Sequence, residues 1–343
     1  MRICLPVADA PAGGRHAFFR NFRAYLERTG VEVTEDLGGD YDVLVVNSWV
    51  ARYGAVARAK GARPAVRVLH RIDGSAALYG RDAIADTRQA LVNLLADTTV
   101  FQSAWGRTAT LGRGIIGQDG PVIHNPVDVE RFRPDGERAA LPGRVRVAHV
   151  AFSTNARKGA GVVWSLARRR SDLQFIMVGP YEGAPALDNL TFLGYTDWAR
   201  LPAVLRACDV LLTFSENETC SNVVLEALAS GLPVLYRASG GTAELVGPGG
   251  AAVEAETFDR VLAETLDRRP AVAEAARARA VGRFRFDAVF PQYLAALEAA
   301  PRRPLPGAAR CLRTLLRIRP PAGDVARWLA ARARPGRAPG TAA

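Results

Sequence analysis

Lysine is almost missing from this chain: two of its 45 basic residues are lysine, Lys60 and Lys158, and the rest are arginine. Where arginine serves as the general cation, a retained lysine is informative, because a compact ammonium and a planar guanidinium are not interchangeable at a phosphate-binding point. Cysteine is scarce as well. Cys4, Cys208, Cys220 and Cys311 are scattered through 343 residues, which excludes a disulfide framework and a C-x-x-C pair and argues against structural zinc. No apolar run approaches the roughly 18 residues that a membrane-spanning helix needs. The apolar start at Met1 is too short for a secretory leader and reads as a first strand, so the expected protein begins at Met1 in the cytoplasm. With 49% apolar and 23% charged residues, extended disorder is excluded too. A G-x-G-x-x-G fingerprint is also lacking: Ala12-Gly-Gly-Arg-His-Ala17 has the wrong spacing and no matching ribose-binding acid, which weakens a dehydrogenase reading.

The net charge of +11 is unevenly spread. Residues 301–343 hold ten arginines against Asp324 alone, leaving +2 for residues 1–300. A nucleic-acid-binding protein would bind with steep salt dependence, yet the body has little excess charge and the tail one aromatic, Trp328; no nucleic-acid partner is expected.

Short Val/Ile/Leu runs alternate with longer amphipathic stretches, the pattern of parallel β–α units. The runs predict strands at Arg2–Val7, Val31–Thr34, Val43–Val46, Val66–Leu69, Thr98–Phe101 and Val122–His124, with helices over His16–Arg28 and Asp82–Leu95. A polar segment from Asp135 to Gly143 reads as a linker. It separates a first domain, 1–135, from a second, 144–287, with 136–143 between them. In the second, strands are predicted at Val145–Ala151, Gln174–Val178, Val210–Phe214 and Pro233–Tyr236. Helices are predicted at Ala160–Arg169, Trp198–Ala207 and Asn222–Ser230. Ligands of such sheets bind beyond the strands' carboxyl ends.

The richest such place is Ser215-Glu-Asn-Glu218-Thr-Cys-Ser-Asn222-Val223-Val-Leu-Glu226-Ala-Leu-Ala-Ser-Gly-Leu-Pro-Val234. A strand ends at Phe214 and a helix starts near Asn222, with Ser221 as its N-cap and Gly231 as its stop. The first-turn amides at Asn222, Val223 and Val224 form an anion site. Glu226, among apolar neighbours, is either on the solvent stripe or turned to a polar ligand. Carboxylates suit sugar hydroxyls because they accept charge-assisted hydrogen bonds. Lys158, before Gly159, is either a solvated loop lysine or a phosphate contact.

Glu218 and Glu226 form an E-x7-E pair that closely resembles the signature of retaining family-4 glycosyltransferases. Val122-Ile-His-Asn-Pro-Val-Asp128, Asn155-Ala-Arg-Lys-Gly159, Leu193-Gly-Tyr195, Ser239-Gly-Gly-Thr-Ala-Glu244 and the Gly13-Gly14 loop follow in that family's order over residues 1–300. The resemblance implies a GT-B fold, two Rossmann-like α/β domains whose parallel sheets face an interdomain cleft, with a closing helix, 288–300, returning to the first domain. It implies a nucleotide-diphospho-sugar donor, a carbohydrate or lipid-linked acceptor, and no separate cofactor or metal. By resemblance Glu226 binds the donor ribose, Glu218 the transferred sugar and Lys158 the diphosphate, while Tyr195 lies beside the nucleobase. Asn222 and Val223 would face the phosphates, and Gly13 and Gly14 would line the cleft. His70, in Arg67-Val-Leu-His-Arg-Ile-Asp73-Gly74, is either a cleft residue near the donor sugar or acceptor, or a structural histidine. Glu244 is either a cleft residue or a helix-capping acid. The chain departs from the family where an Arg often follows the strand and Phe152 and Ser153 stand here; Arg157 is the candidate replacement cation. Asp40-Tyr-Asp42 fits the D-x-D of metal-dependent glycosyltransferases, but it precedes a strand instead of following one. A GT-B epimerase or phosphorylase is the nearest enzymatic alternative. Finally, Ala308, Cys311, Leu312, Leu315 and Leu316 mark an apolar stripe opposed by arginines, so the tail 301–343 is expected either to touch an anionic membrane surface or to dock on the body.

Overall fold

The computed structural model describes residues 1–6, 14–196, 198–307 and 311. The first half runs β1 (Arg2–Cys4), α1 (Gly14–Arg28), β2 (Glu32–Thr34), β3 (Val43–Asn47), α2 (Tyr53–Ala62), β4 (Arg67–Ile72), α3 (Ile84–Asn93), β5 (Thr98–Phe101) and α4 (Ala104–Gly112). The second runs β6 (Arg146–Val150), α5 (Ala160–Arg169), β7 (Gln174–Val178), β8 (Leu190–Gly194), α6 (Leu201–Arg206), β9 (Val210–Thr213), α7 (Asn222–Ala229), β10 (Val234–Tyr236), α8 (Thr242–Val246) and β11 (Gly250–Ala252). Helices α9 (Phe258–Asp267), α10 (Arg269–Arg283) and α11 (Phe286–Glu298) follow. The strands form two parallel sheets, β2-β1-β3-β4-β5 and β11-β10-β9-β6-β7-β8. Two parallel-sheet α/β domains therefore make up the described residues. The central strands β3 and β7 are buried at every position, as parallel sheets covered by helices on both faces require.

The last helix completes the first domain's core. Phe290, Tyr293 and Leu297 of α11 pack with Phe18, Phe22 and Tyr25 of α1, and the rings of Phe22 and Phe290 stack at 4.9 Å. Beyond it, the N–H of Arg303 donates to Asp97 Oδ1 at 2.6 Å and Cys311 Sγ lies 3.5 Å from Tyr53 Oη. The rest of the expected tail stripe, from Ala308 on, lies outside the described residues. Among the described residues no helix is long and apolar enough to cross a membrane.

The predicted strand Val122–His124 does not form. One bridge joins Val122 to Phe101 and another joins Val127 to Arg285, while the Asn125 N–H goes to Cys220 Sγ at 3.3 Å. Flanked by Pro121 and Pro126, which lack ladder donors, the segment crosses from one domain to the other. Helices α2, α4, α8, α9 and α10 and strands β8 and β11 were not among the predicted elements. Strand β8 is an edge that exposes alternate residues, so it lacks a continuous apolar run, and α10 buries only Ala276 and Ala280, too little for an apolar stripe.

Candidate active site

In the second sheet β6 and β9 are neighbours, while the chain leaves β6 toward β7 on one side and β9 toward β10 on the other. Their carboxyl ends therefore open a crevice at the point where strand order reverses. Two loops meet there. After β6, Asn155 Oδ1 accepts the Arg157 N–H at 3.0 Å and caps a single tight turn, Ala156–Lys158. Gly159 ends that turn at φ 80°, and a Cβ there would sit 2.4 Å from Phe214 Cβ. Only glycine fits both the left-handed backbone and the close approach, and this contact holds Lys158 against the loop that follows β9.

Lys158 Nζ pairs with Glu218 Oε2 and lies 5.4 Å from the ring centroid of Tyr79. Tyr79 Oη donates to the same carboxylate oxygen at 3.2 Å. Burial works against the Lys158 charge, but Glu218 and Tyr79 more than offset it and raise the ammonium pKa above its ordinary value; Lys158 is a fixed cation. The first domain closes over this pair. Asn155 Nδ2 donates to the Tyr79 carbonyl at 2.8 Å and Asn217 Nδ2 to the Leu78 carbonyl at 2.9 Å.

Helix α7 starts beside them. Ser221 Oγ accepts the Val224 N–H at 3.5 Å, so the first-turn amides of Asn222 and Val223 remain for a ligand. Asn222 Oδ1 accepts from Asn125 Nδ2 at 2.8 Å. One turn on, Glu226 lines a cavity of about 20 Å³ together with Phe18, Asn21, Phe132, Trp198 and Asn222, room for about one water. Glu226 Oε2 is buried without a hydrogen-bond partner. Burial pushes the carboxyl up to about 7, against the opposing effects of the Trp198 hydrogen bond and the Arg20 charge. Glu226 thus points into a cavity between the domains, which answers one of the two alternatives left open by its apolar neighbours. The Trp198 ring in turn contacts the guanidinium groups of Arg20 and Arg131, at 4.0 and 3.9 Å.

Other expected site residues fall as follows. Arg157 Nη1 lies 3.2 Å from Glu216 Oε2; Glu216 Oε1 takes Arg237 Nη1 at 2.5 Å. Arg157 is therefore a paired cation beside Lys158. Arg237, which follows β10, was missed; its place at a strand's carboxyl end before Ser239-Gly-Gly was the available signal. Tyr195 is 69% exposed, beside Phe152. Gly14 begins α1, and Gly13 lies outside the described residues.

His70 is a correction. The strand that was predicted to end at Leu69 continues to Ile72, so His70 sits inside it and faces the core. It is fully buried, with Nε2 2.9 Å from the Ser48 carbonyl and Nδ1 3.3 Å from Asn93 Nδ2. Burial lowers its pKa to about 4, and the ring is enclosed and neutral at neutral pH. Its neighbour Arg71, also unflagged, is buried and bonds Asp73 Oδ1 at 2.8 Å, Tyr293 Oη at 3.3 Å and Asn125 Oδ1. Glu244 proves to be a helix cap across the domain boundary: its two oxygens accept the Ala104 and Trp105 N–H groups of α4, each at 2.7 Å. Lys60, the other lysine, is a buried structural partner of Asp97 at 2.7 Å. Among the described residues no group of three or more His, Cys, Asp or Glu side chains could hold a metal ion. Asp42 is spent at the entrance to β3, accepting the Arg2 N–H at 2.8 Å.

Comparison with known proteins identifies the family and the fold. Residues 160–275 match the family described as "Glycosyl transferases group 1". The chain is 30% identical over 322 residues to a D-inositol 3-phosphate glycosyltransferase of Geodermatophilus obscurus, covering 78% of this chain and 70% of that one. It is 26% identical over 314 residues to the D-inositol 3-phosphate glycosyltransferase of Mycolicibacterium smegmatis, covering 79% and 71%. Among solved structures, HepE of Anabaena in complex with UDP-glucose superposes with a TM-score of 0.70 at 18% identity, covering 87% of this chain and 100% of that one. The two-domain fold is that of the GT-B glycosyltransferases.

Proposed function

This chain belongs to the group 1 glycosyltransferases, and from that premise we propose that it is a retaining, metal-independent enzyme whose donor chemistry is carried by Lys158, Glu218, Glu226 and the N-terminus of α7. That it is a glycosyltransferase acting on nucleotide sugars follows from the family; the residue roles and the stereochemistry are our reading. One observation carries it. At the switch point of the second sheet a half-buried lysine, an acid able to hold a sugar and the first turn of a helix converge.

The donor diphosphate would draw Lys158 from Glu218 and lie on the amides of Asn222 and Val223, where fixed positive charge and the helix dipole meet the charge that develops on the leaving group. Freed from Lys158, Glu218 accepts hydroxyls of the transferred sugar. Glu226 accepts the ribose hydroxyls from its cavity, which supplies the hydrogen bonds its buried carboxylate lacks. The bond from the anomeric carbon to the diphosphate oxygen breaks as the acceptor oxygen bonds the same face. The acceptor proton passes to the departing phosphate, so no protein nucleophile is required. Segment 78–80, already laid across the crevice, helps exclude water.

The acceptor is read as a carbohydrate or lipid-linked hydroxyl of cell-envelope, polysaccharide or glycolipid synthesis, made at the inner face of a membrane to which the basic tail binds. The test is a panel of nucleotide sugars offered to the purified full chain, with release of nucleoside diphosphate and the anomeric configuration of the product as readouts. Transfer with retained configuration supports the reading. Inversion overturns the stereochemistry, and interconversion of the sugar without release overturns transfer in favour of epimerisation.

A further inference from the structure

Among the described residues Arg71, on β4, is the largest side chain that the fold buries almost completely. Burying a charge is costly unless it is paired. Arg71 Nη1 donates to Asp73 Oδ1 at 2.8 Å and to Asn47 Oδ1, and Nε donates to Tyr293 Oη at 3.3 Å. The guanidinium carbon lies 4.0 Å from the ring centroid of Phe18. Even a well-paired buried ion adds little net stability over an apolar side chain of similar size, so packing alone gives a weak reason for a cation here. The remaining contact leads out of the first domain: Nη2 donates to Asn125 Oδ1.

Asn125, buried in the segment that crosses between the domains, passes that donation on. Its Nδ2 donates to the Cys220 carbonyl at 3.1 Å and to Asn222 Oδ1 at 2.8 Å. Only one orientation of this amide fits. A guanidinium only donates and a carbonyl only accepts, so the oxygen must face Arg71 and the nitrogen must face Cys220. The orientation of Asn222 follows in turn. Its Oδ1 is taken by Asn125, while its Nδ2 has no partner among the described residues and is left to donate beside the free first-turn amides of α7.

We infer that Arg71 and Asn125 are positioning residues that act from outside the second domain through Asn222, locking its side-chain amide so that an N–H group, and not a carbonyl oxygen, meets the donor's diphosphate. The inference rests on the proposed nucleotide-sugar donor. The relay moves no proton and needs no conformational change. It sets polarity: a reversed Asn222 amide would turn a lone pair toward an anion. Buried networks of this kind are worth more than their separate bonds, and double-mutant cycles apportion them.

The test is calorimetric binding of UDP, GDP and inorganic pyrophosphate to the full chain and to Asn222→Ala, Asn125→Asp and Arg71→Met, the last two also combined with Asn222→Ala. Urea unfolding checks each fold. Asn125→Asp keeps the shape and still accepts from Arg71, but a carboxylate only accepts, so Asn222 must turn its nitrogen inward and its oxygen toward the ligand. Whichever ligands bind are expected to lose about tenfold in Kd in Asn222→Ala, the worth of one hydrogen bond to a charged group, and at least as much in Asn125→Asp. Arg71→Met, which frees the Asn125 amide to turn either way, should show a smaller loss. In the Asn222→Ala background neither Asn125→Asp nor Arg71→Met should cost more than about twofold further, because their route to the ligand is gone. Purely structural roles predict losses that add. Unchanged affinity in Asn222→Ala overturns the relay whether or not the other variants fold. Unchanged affinity in a folded Asn125→Asp, or additive losses, overturn it as well, and in all three cases the donor reading stands. A wild-type chain that binds none of the three ligands overturns both.

Discussion

Replacing Glu226 by glutamine is expected to stabilise the protein while weakening its hold on nucleotide. In the native fold the Glu226 carboxyl is pushed from its ordinary 4.5 to about 7 by burial, and its Oε2 has no hydrogen-bond partner. The folded chain therefore binds this proton more tightly than the unfolded chain, and stability contributed by this group falls as pH rises between about 4.5 and 7. At about 1.4 kcal/mol for each pH unit of that gap, the ionised carboxylate costs on the order of 3 kcal/mol above pH 7. Glu226→Gln keeps the shape and removes the charge. Wild type and variant should coincide near pH 4.5 and diverge steadily, the variant being more stable by about 3 kcal/mol at pH 8, or roughly 5–10 °C in Tm for a domain of this size. The assay is urea and thermal unfolding of both proteins from pH 4.5 to 8.5. A constant offset across that range, or a variant less stable than wild type at pH 8, would refute the assignment of a strained, solvent-excluded carboxylate. The same variant should bind nucleoside diphosphate more weakly by about 1–3 kcal/mol. Wild-type binding near pH 6.5 should release a proton, because ribose hydroxyls donating to the carboxylate favour its charged form. Heats that depend on buffer in wild type but not in the variant are the calorimetric signature.

Three further outcomes are expected. Lys158→Ala and Glu218→Gln should cripple transfer with the fold intact, since both positions lie in loops; unimpaired donor turnover in both would remove the site assignment. Activity should survive exhaustive chelation, because the proposed mechanism puts a lysine and helix amides in place of a divalent cation, and a manganese or magnesium requirement in the chemical step would contradict this. Full-length protein should sediment with anionic liposomes at low salt through its arginine tail, and a chain ending at Gly307, which keeps the Arg303–Asp97 contact, should not. Equal pelleting of the two would assign the tail to the body instead of the membrane.

Much of the fold was legible because parallel strands buried on both faces must be continuous apolar runs, and β5, β7 and α5 lie where those runs and stripes ended. The position of the loops was legible for a related reason, since glycine and polar residues mark where a buried strand ends; at Gly159 the left-handed turn against Phe214 admits no side chain. Elements with little periodic burial, such as the edge strand β8 and the Ala/Arg-rich α10, left no such trace. What only the tertiary structure decided is where each polar group finds its partner. His70 and Asp73 belong to one short motif, yet the pleat of β4 and its extension to Ile72 send the histidine into the core against Ser48 and Asn93. Glu244 caps a helix 140 residues earlier in the chain, and Arg71 takes its partners from four separate segments. Local sequence sets which backbone conformations and which faces are apolar, because those preferences act over a few residues. The pairing of buried charges is set by desolvation, and desolvation exists only once distant segments have closed around the group.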